Sequence, residues 1–313
     1  MSAVTDALPH STAPAATHRT RPYVWSIRRE LWEHRAVVFV PLIAAGVALF
    51  GFLVTAHHIP RNAQQAIGAL DPMKRQMVLI APYYFAAGAI LLTTFIVAIF
   101  YCLGALVNER RDRSILFWKS LPVSDLMTVL AKASIPLLVL PAIAFVTVFA
   151  TYVVMLGLST LILSASGNAG LLLTHVPLVS MTAGLLYFVI VAALWHAPLY
   201  GYLLLVSAYS RRSTFLWAVL PPLGLMMLES ITTGTSYVFD LIKYRIVGYI
   251  DEGFVGMKTT VVTMKGHGQA VFGGIPVPDP AHFVASPGLW LGLVAAAVLL
   301  AAAVWLRRYR EPI

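Results

Sequence analysis

The sequence predicts an all-α integral membrane protein with six transmembrane helices. Three observations lead there. Apolar residues make up 59% of the 313 and charged residues only 11%, about half the charge of a soluble domain, and mean hydropathy is +0.81. Charge-free runs are long: no Asp, Glu, Lys or Arg occurs from Ala36 to Pro60 or from Ala133 to Ser210, where one crossing needs about 20 residues. Lys and Arg gather at the ends of these runs, as topology signals do.

The same numbers exclude other classes. A net charge of +9 would suit a nucleic-acid binder, but cations that flank apolar runs set membrane orientation instead. The single cysteine, Cys102, allows no intrachain disulfide and no cysteine-based metal site. Residues 1–22 are rich in Ser, Thr, Ala, Pro and His without an apolar core. They read as a disordered cytoplasmic tail rather than a secretory signal. Residues 23–310 read as one transmembrane domain.

From Tyr23 to Arg35, Val24, Trp25, Ile27, Leu31 and Trp32 share one helical arc, with Ser26, Arg29, Glu30 and Glu33 opposite. Two readings stand side by side: an amphipathic helix on the inner leaflet, or a plain extension of the first span. Span one covers 37–56. The following loop carries His57-His58, read as a polar interfacial pair because adjacent residues do not share a helix face. Lys74 and Arg75 also fall in this loop. Span two covers 83–107.

A polar stretch follows. Glu109, Arg110, Arg111, Asp112 and Arg113 come first, then Ile115, Leu116, Phe117, Trp118, Lys119 and Leu121. Pro122 stops a helix, lacking an N–H, and Ser124 is an N-cap for the next. Aromatic residues beside Arg suit either a protein-docking hot spot or an interfacial helix lying on lipid.

Span three covers 126–158, bent by Pro136 and Pro141. A Ser/Gly/Asn turn at 164–170 separates it from span four, 178–209. Arg211-Arg212 ends that run. Span five, 214–231, carries Pro221-Pro222. The outer segment 232–287 begins with helical spacing at Val238, Leu241, Ile242, Arg245, Ile246 and Tyr249. It continues as a Gly/Pro-rich ordered loop or small hairpin. Span six covers 289–306, followed by Arg307, Arg308 and Arg310. Six spans with both ends cytoplasmic put fifteen of the 22 Lys and Arg on the inner side.

Chemistry is sparse. No G-x-x-x-x-G-K-[ST] loop, no H-E-x-x-H and no paired membrane carboxylate occurs. No catalytic, cofactor or metal site is expected in the chain. The intramembrane ionisable groups are His196 in span four and Glu229 at the rim of span five. His196 reads as a bond between helices or a pathway residue, and Glu229 as a rim residue paired with a loop cation. So few relay groups place the energy source outside the chain.

Three stretches carry a family likeness: Ile27–Arg35 (IRRELWEHR) with Pro41 beyond it, Glu109–Ser124 (ERRDRSILFWKSLPVS) up to Lys132, and Leu194–Tyr202 (LWHAPLYGY) followed by Phe215–Leu223 (FLWAVLPPL). The third stretch also takes in Ser207-Ala208. In this order the chain resembles the permease subunits of bacterial ABC transporters of the ABC-2, exporter-like type. The likeness implies an N-terminal connecting helix and a cytoplasmic coupling helix between spans two and three. It implies docking on two ABC ATPase subunits, which hold ATP and Mg, and pairing with a second permease copy in the inner membrane. Glu109, Arg110, Arg111, Asp112, Arg113, Ile115, Phe117, Trp118, Lys119, Leu121 and Pro122 would then contact the ATPase. Export of a hydrophobic or amphipathic substrate is the expected function. The alternatives are a membrane-embedded lipid-modifying enzyme and a non-transporting sensor or anchor.

Overall fold

The computed structural model describes residues 22–58, 72–111, 124–164, 176–255, 258–260, 271–273 and 277–309. These form an all-α membrane protein, with six helices long and apolar enough to cross a bilayer. Of the expected disordered tail 1–22, residues 1–21 lie outside the described residues, as does most of the Gly/Pro-rich loop, while Pro22 opens the first helix.

Helix α1 (Pro22–Glu33) is separate from α2 (Ala36–His58). The chain turns at His34-Arg35, where His34 N still bonds Glu30 O at 2.9 Å and Val37 N bonds His34 O at 3.0 Å. Trp25 and Trp32 on α1 are exposed, with the Arg28 guanidinium 5.4 and 5.0 Å from their rings. Ile27 and Leu31 pack inward. Glu30, placed by the helical wheel on the polar outer side, is buried. The wheel gives the spacing of side chains but not the side on which the partner cation waits.

Helix α3 (Pro72–Ala105) starts well before Tyr83, because Pro72 opens a helix without loss and nothing downstream breaks it. Lys74 and Arg75 therefore sit on its first turn rather than in a loop. After a turn at Leu106, α4 (Val107–Arg111) continues. Span three is α5 (Asp125–Ser134), a π-helical turn (Ile135–Val139) and α6 (Leu140–Ser164). Ser124 caps α5 by accepting from Met127 N at 3.2 Å. The distortion expected at Pro136 and Pro141 takes the form of the π-helical turn, a register shift rather than a simple bend.

Span four divides into α7 (Leu178–Trp195) and α8 (Ala197–Tyr209), with His196 at the break. Pro198, just inside α8, has no N–H to continue the ladder. Helix α9 (Thr214–Thr232) tolerates Pro221-Pro222. The Ala218 carbonyl, which Pro222 leaves without its usual donor, accepts from Tyr202 Oη at 2.9 Å. Gly234, at φ +67°, turns the chain after α9.

The segment 232–287 holds α10 (Tyr237–Val247), α11 (Tyr249–Gly253) and α12 (Pro280–Ala285). It also holds two short antiparallel pairs, β1 (Phe254–Val255) with β4 (Val277–Pro278) and β2 (Lys258–Thr260) with β3 (Val271–Gly273). Helix α13 (Pro287–Tyr309) completes the bundle.

Helices α13 and α8 pack against each other, with Gly201 lying against Ala296 and Leu299. One core includes Val37, Cys102, Val129, Ile135, Leu204 and Ala303. A second includes Ala45, Tyr83, Ile90, Val148, Tyr152 and Leu185.

Candidate functional site: a buried charge cluster around the polar stretch

Where α3 gives way to α4, the backbone loses its regular ladder, and α8 supplies the missing partner. Ser207 Oγ donates to Leu103 O at 2.9 Å and accepts from Leu106 N at 3.0 Å and Val107 N at 3.1 Å. One hydroxyl thus serves two donors and an acceptor, its full capacity. Arg110 Nη1 donates to Ala208 O at 2.7 Å and Ser210 O at 3.2 Å, capping the carbonyl end of α8. This joint fixes the direction in which the chain leaves span two.

Beside it, charges from four helices converge, with a neutral hydroxyl from α3. Glu109 on α4 accepts from Arg307 on α13 at 2.6 Å and lies 3.1 Å from Lys132 Nζ on α5. Lys132 donates to Glu30 of α1 at 2.7 Å, and Tyr101 Oη of α3 donates to the other Glu30 oxygen at 2.8 Å. Arg307 Nε donates to Asp125 at 3.0 Å. Arg29 bonds Glu33 at 2.7 Å and approaches Glu109 at 3.9 Å. Lys132 is 1% exposed, Glu30 3%, Arg307 4% and Glu109 5%. Carboxylates Glu30, Glu33, Glu109 and Asp125 meet cations Arg29, Lys132 and Arg307.

Such a cluster adds little net stability when formed from solvated charges, but removing one partner costs about 3–5 kcal/mol because a buried charge is left unpaired. Its effect is therefore geometric. It pins α1 and α13 to both described ends of the polar stretch: Glu109 before it, Asp125 and Lys132 after it. His34 adds an edge-on ring contact to Tyr101 at 5.0 Å. Burial holds its pKa below the ordinary histidine value, against the pull of Glu30.

The ligand atoms of Glu30, Glu33 and His34 lie close enough together to hold a metal ion. The bonds to Lys132, Tyr101 and Arg29 account for both carboxylates without one.

Of the residues singled out from the sequence, Glu109 and Arg110 are buried and bonded within the chain, whereas Arg111 is exposed. Asp112, Arg113, Ile115, Phe117, Trp118, Lys119, Leu121 and Pro122 lie outside the described residues. His196 bonds between helices: Nδ1 is 2.7 Å from Ala192 O and Nε2 is 3.2 Å from Ile246 O.

Among the described residues, Glu229 pairs with no loop cation. It accepts from Tyr237 N at 2.6 Å, Val238 N at 2.8 Å and Thr235 Oγ1 at 2.7 Å, so the first turn of α10 is its partner. Exposed N–H groups at a helix start attract a carboxylate as a cation would. His196 and Glu229 bond to different partners and build no common site.

Glu30, Tyr101, Lys132 and Arg307 were not legible as a group. One signal was present: Lys132 interrupts an apolar run well inside its start, where a lone cation needs a buried partner.

Comparison with family models, with curated proteins and with solved structures finds no match for this chain.

Proposed function

We propose that the chain is the permease subunit of an ATP-binding cassette exporter. It forms the passage for a hydrophobic or amphipathic substrate and couples to separate ATPase subunits through the stretch 108–122. In this reading both termini and the charge cluster face the cytoplasm across the inner membrane. ATP and Mg belong to the ATPase pair, and a second permease copy completes the passage.

The observation that carries the reading is the charge cluster bracketing that stretch. A loop that only reverses the chain needs no such anchorage. A loop through which force is delivered does, because movement of Glu109 or Asp125 is then shared at once by α1, α5 and α13. The sparse relay chemistry of the spans agrees with an external fuel. A lipid-modifying enzyme would need polar groups converging at one depth, and His196 and Glu229, each bonded elsewhere, do not supply them.

The test is reconstitution with the ATPase that co-purifies with the chain. Substrate efflux should require hydrolysable ATP, and Phe117→Ala with Trp118→Ala should leave hydrolysis running while efflux stops. Efflux that proceeds without an ATPase would overturn the reading.

A further inference from the structure

The face of α1 opposite Glu30 carries a pattern of its own. Trp25 and Trp32 lie two turns apart on nearly one line of the helix, and both are exposed. Arg28 stands between them, three residues from one and four from the other, with its guanidinium 5.4 and 5.0 Å from the two ring centres. Among the described residues these rings are its partners, and it bonds no carboxylate. Arg29, the next residue, is taken by Glu33 at 2.7 Å. Two flanking rings hold the guanidinium in place and leave its N–H edge open, the arrangement that grips a phosphate through paired bonds.

The ion pairs fix the depth of this face. Helix α13 is long and apolar enough to cross a bilayer, and its end carries exposed Trp305 and Tyr309, 5.4 Å apart, with Arg308 5.9 Å from the Tyr309 ring. Aromatic rings beside cations at the end of a span mark the headgroup level. Arg307, next to that set, bonds Glu109, and Lys132 joins Glu109 to Glu30 of α1. Helix α1 is therefore tied to headgroup depth. A third set lies at the same end, where Tyr209 and Trp217 meet at 5.2 Å beside exposed Arg211 and Arg212. Arg110 joins that end of α8 to the helix of Glu109. Phe39, Leu42 and Ile43 are exposed at the start of α2, directly after α1.

We propose that Trp25, Arg28 and Trp32 form a binding site for the phosphate of an anionic phospholipid, in the leaflet at the end of the bundle where the charge cluster lies. A zwitterionic headgroup brings an ammonium for which this face holds no free carboxylate among the described residues, since Glu33 is bonded to Arg29. An anionic headgroup leaves no such charge unmatched. Glu30, across the same helix, is held by Lys132. Bound lipid thus presses α1 onto the cluster from outside, and the anionic lipid content of the leaflet sets how firmly α1 stays docked.

The test measures amide exchange of residues 22–33 in the full chain, reconstituted in nanodiscs of phosphatidylcholine alone or mixed with phosphatidylglycerol. Protection should rise by roughly fivefold with phosphatidylglycerol, and not when inorganic phosphate is added to the phosphatidylcholine discs. Arg28→Gln should abolish the rise. Arg28→Lys should keep part of it, because the charge stays but the paired N–H edge is lost. Arg35→Gln, which removes another exposed cation at the corner after α1, should keep it. Unchanged exchange in α8 checks that each variant is folded. Equal protection in the two lipids, a rise that survives Arg28→Gln, or equal losses in Arg28→Gln and Arg35→Gln overturns the proposal. Protection of α1 gained only with a co-purifying protein overturns it too.

Discussion

Lys132 is the residue on which the charge cluster turns, since it bridges Glu30 and Glu109. Lys132→Met is expected to destabilise the protein by about 3–5 kcal/mol, leaving two buried carboxylates without their common cation. Adding Glu30→Gln should cost less than the sum of the single changes, because the two act on one contact. A double-mutant cycle from denaturant unfolding in detergent checks this, and simple additivity would refute the coupling. Ser207→Ala should cost about 1–3 kcal/mol, since two backbone N–H groups lose their acceptor in a buried joint. Neither cost is visible in residue type or exposure alone. Ser207 and Lys132 owe their importance to partners about a hundred residues away in sequence.

At the scale of elements, α1 is held to the bundle by Glu30 and by the inward packing of Ile27 and Leu31. Glu30→Gln should raise amide exchange in 22–33 selectively, leaving α7 and α8 unchanged. Docking of α1 should also depend on pH. His34 has its pKa lowered by burial, so the released form binds more protons. Stability is then present above the ordinary histidine pKa and is lost as pH falls through it. Acid should release α1, and His34→Gln should abolish that response in the same exchange experiment.

The positions of the six spans were legible because hydrophobic runs report burial in lipid directly. The separate helix α1 was legible as one of two readings. The break at His196, the early start of α3 and the inward face of α1 were not. Each depends on which distant group meets the backbone or side chain, and one-dimensional periodicity carries no such information. Glu229 shows the limit well: its charge suggested a cation, while its partner is a helix start.

At the scale of the whole molecule, the chain offers a helical bundle with little titratable chemistry in its spans and a concentrated ionic knot at one end. The knot ties the residues on either side of 112–123 to the first and last helices. Span three runs for 38 residues from Asp125 to Ile162, about 57 Å of helix, so movement at the knot reaches past a hydrocarbon layer of about 30 Å. The most direct measurement of this account is photo-crosslinking in intact cells, with p-benzoylphenylalanine replacing Trp118. The expected adduct is a protein bearing a phosphate-binding loop, formed with the native knot and lost when Lys132→Met is added. Adducts with lipid alone, unchanged by Lys132→Met, would contradict it.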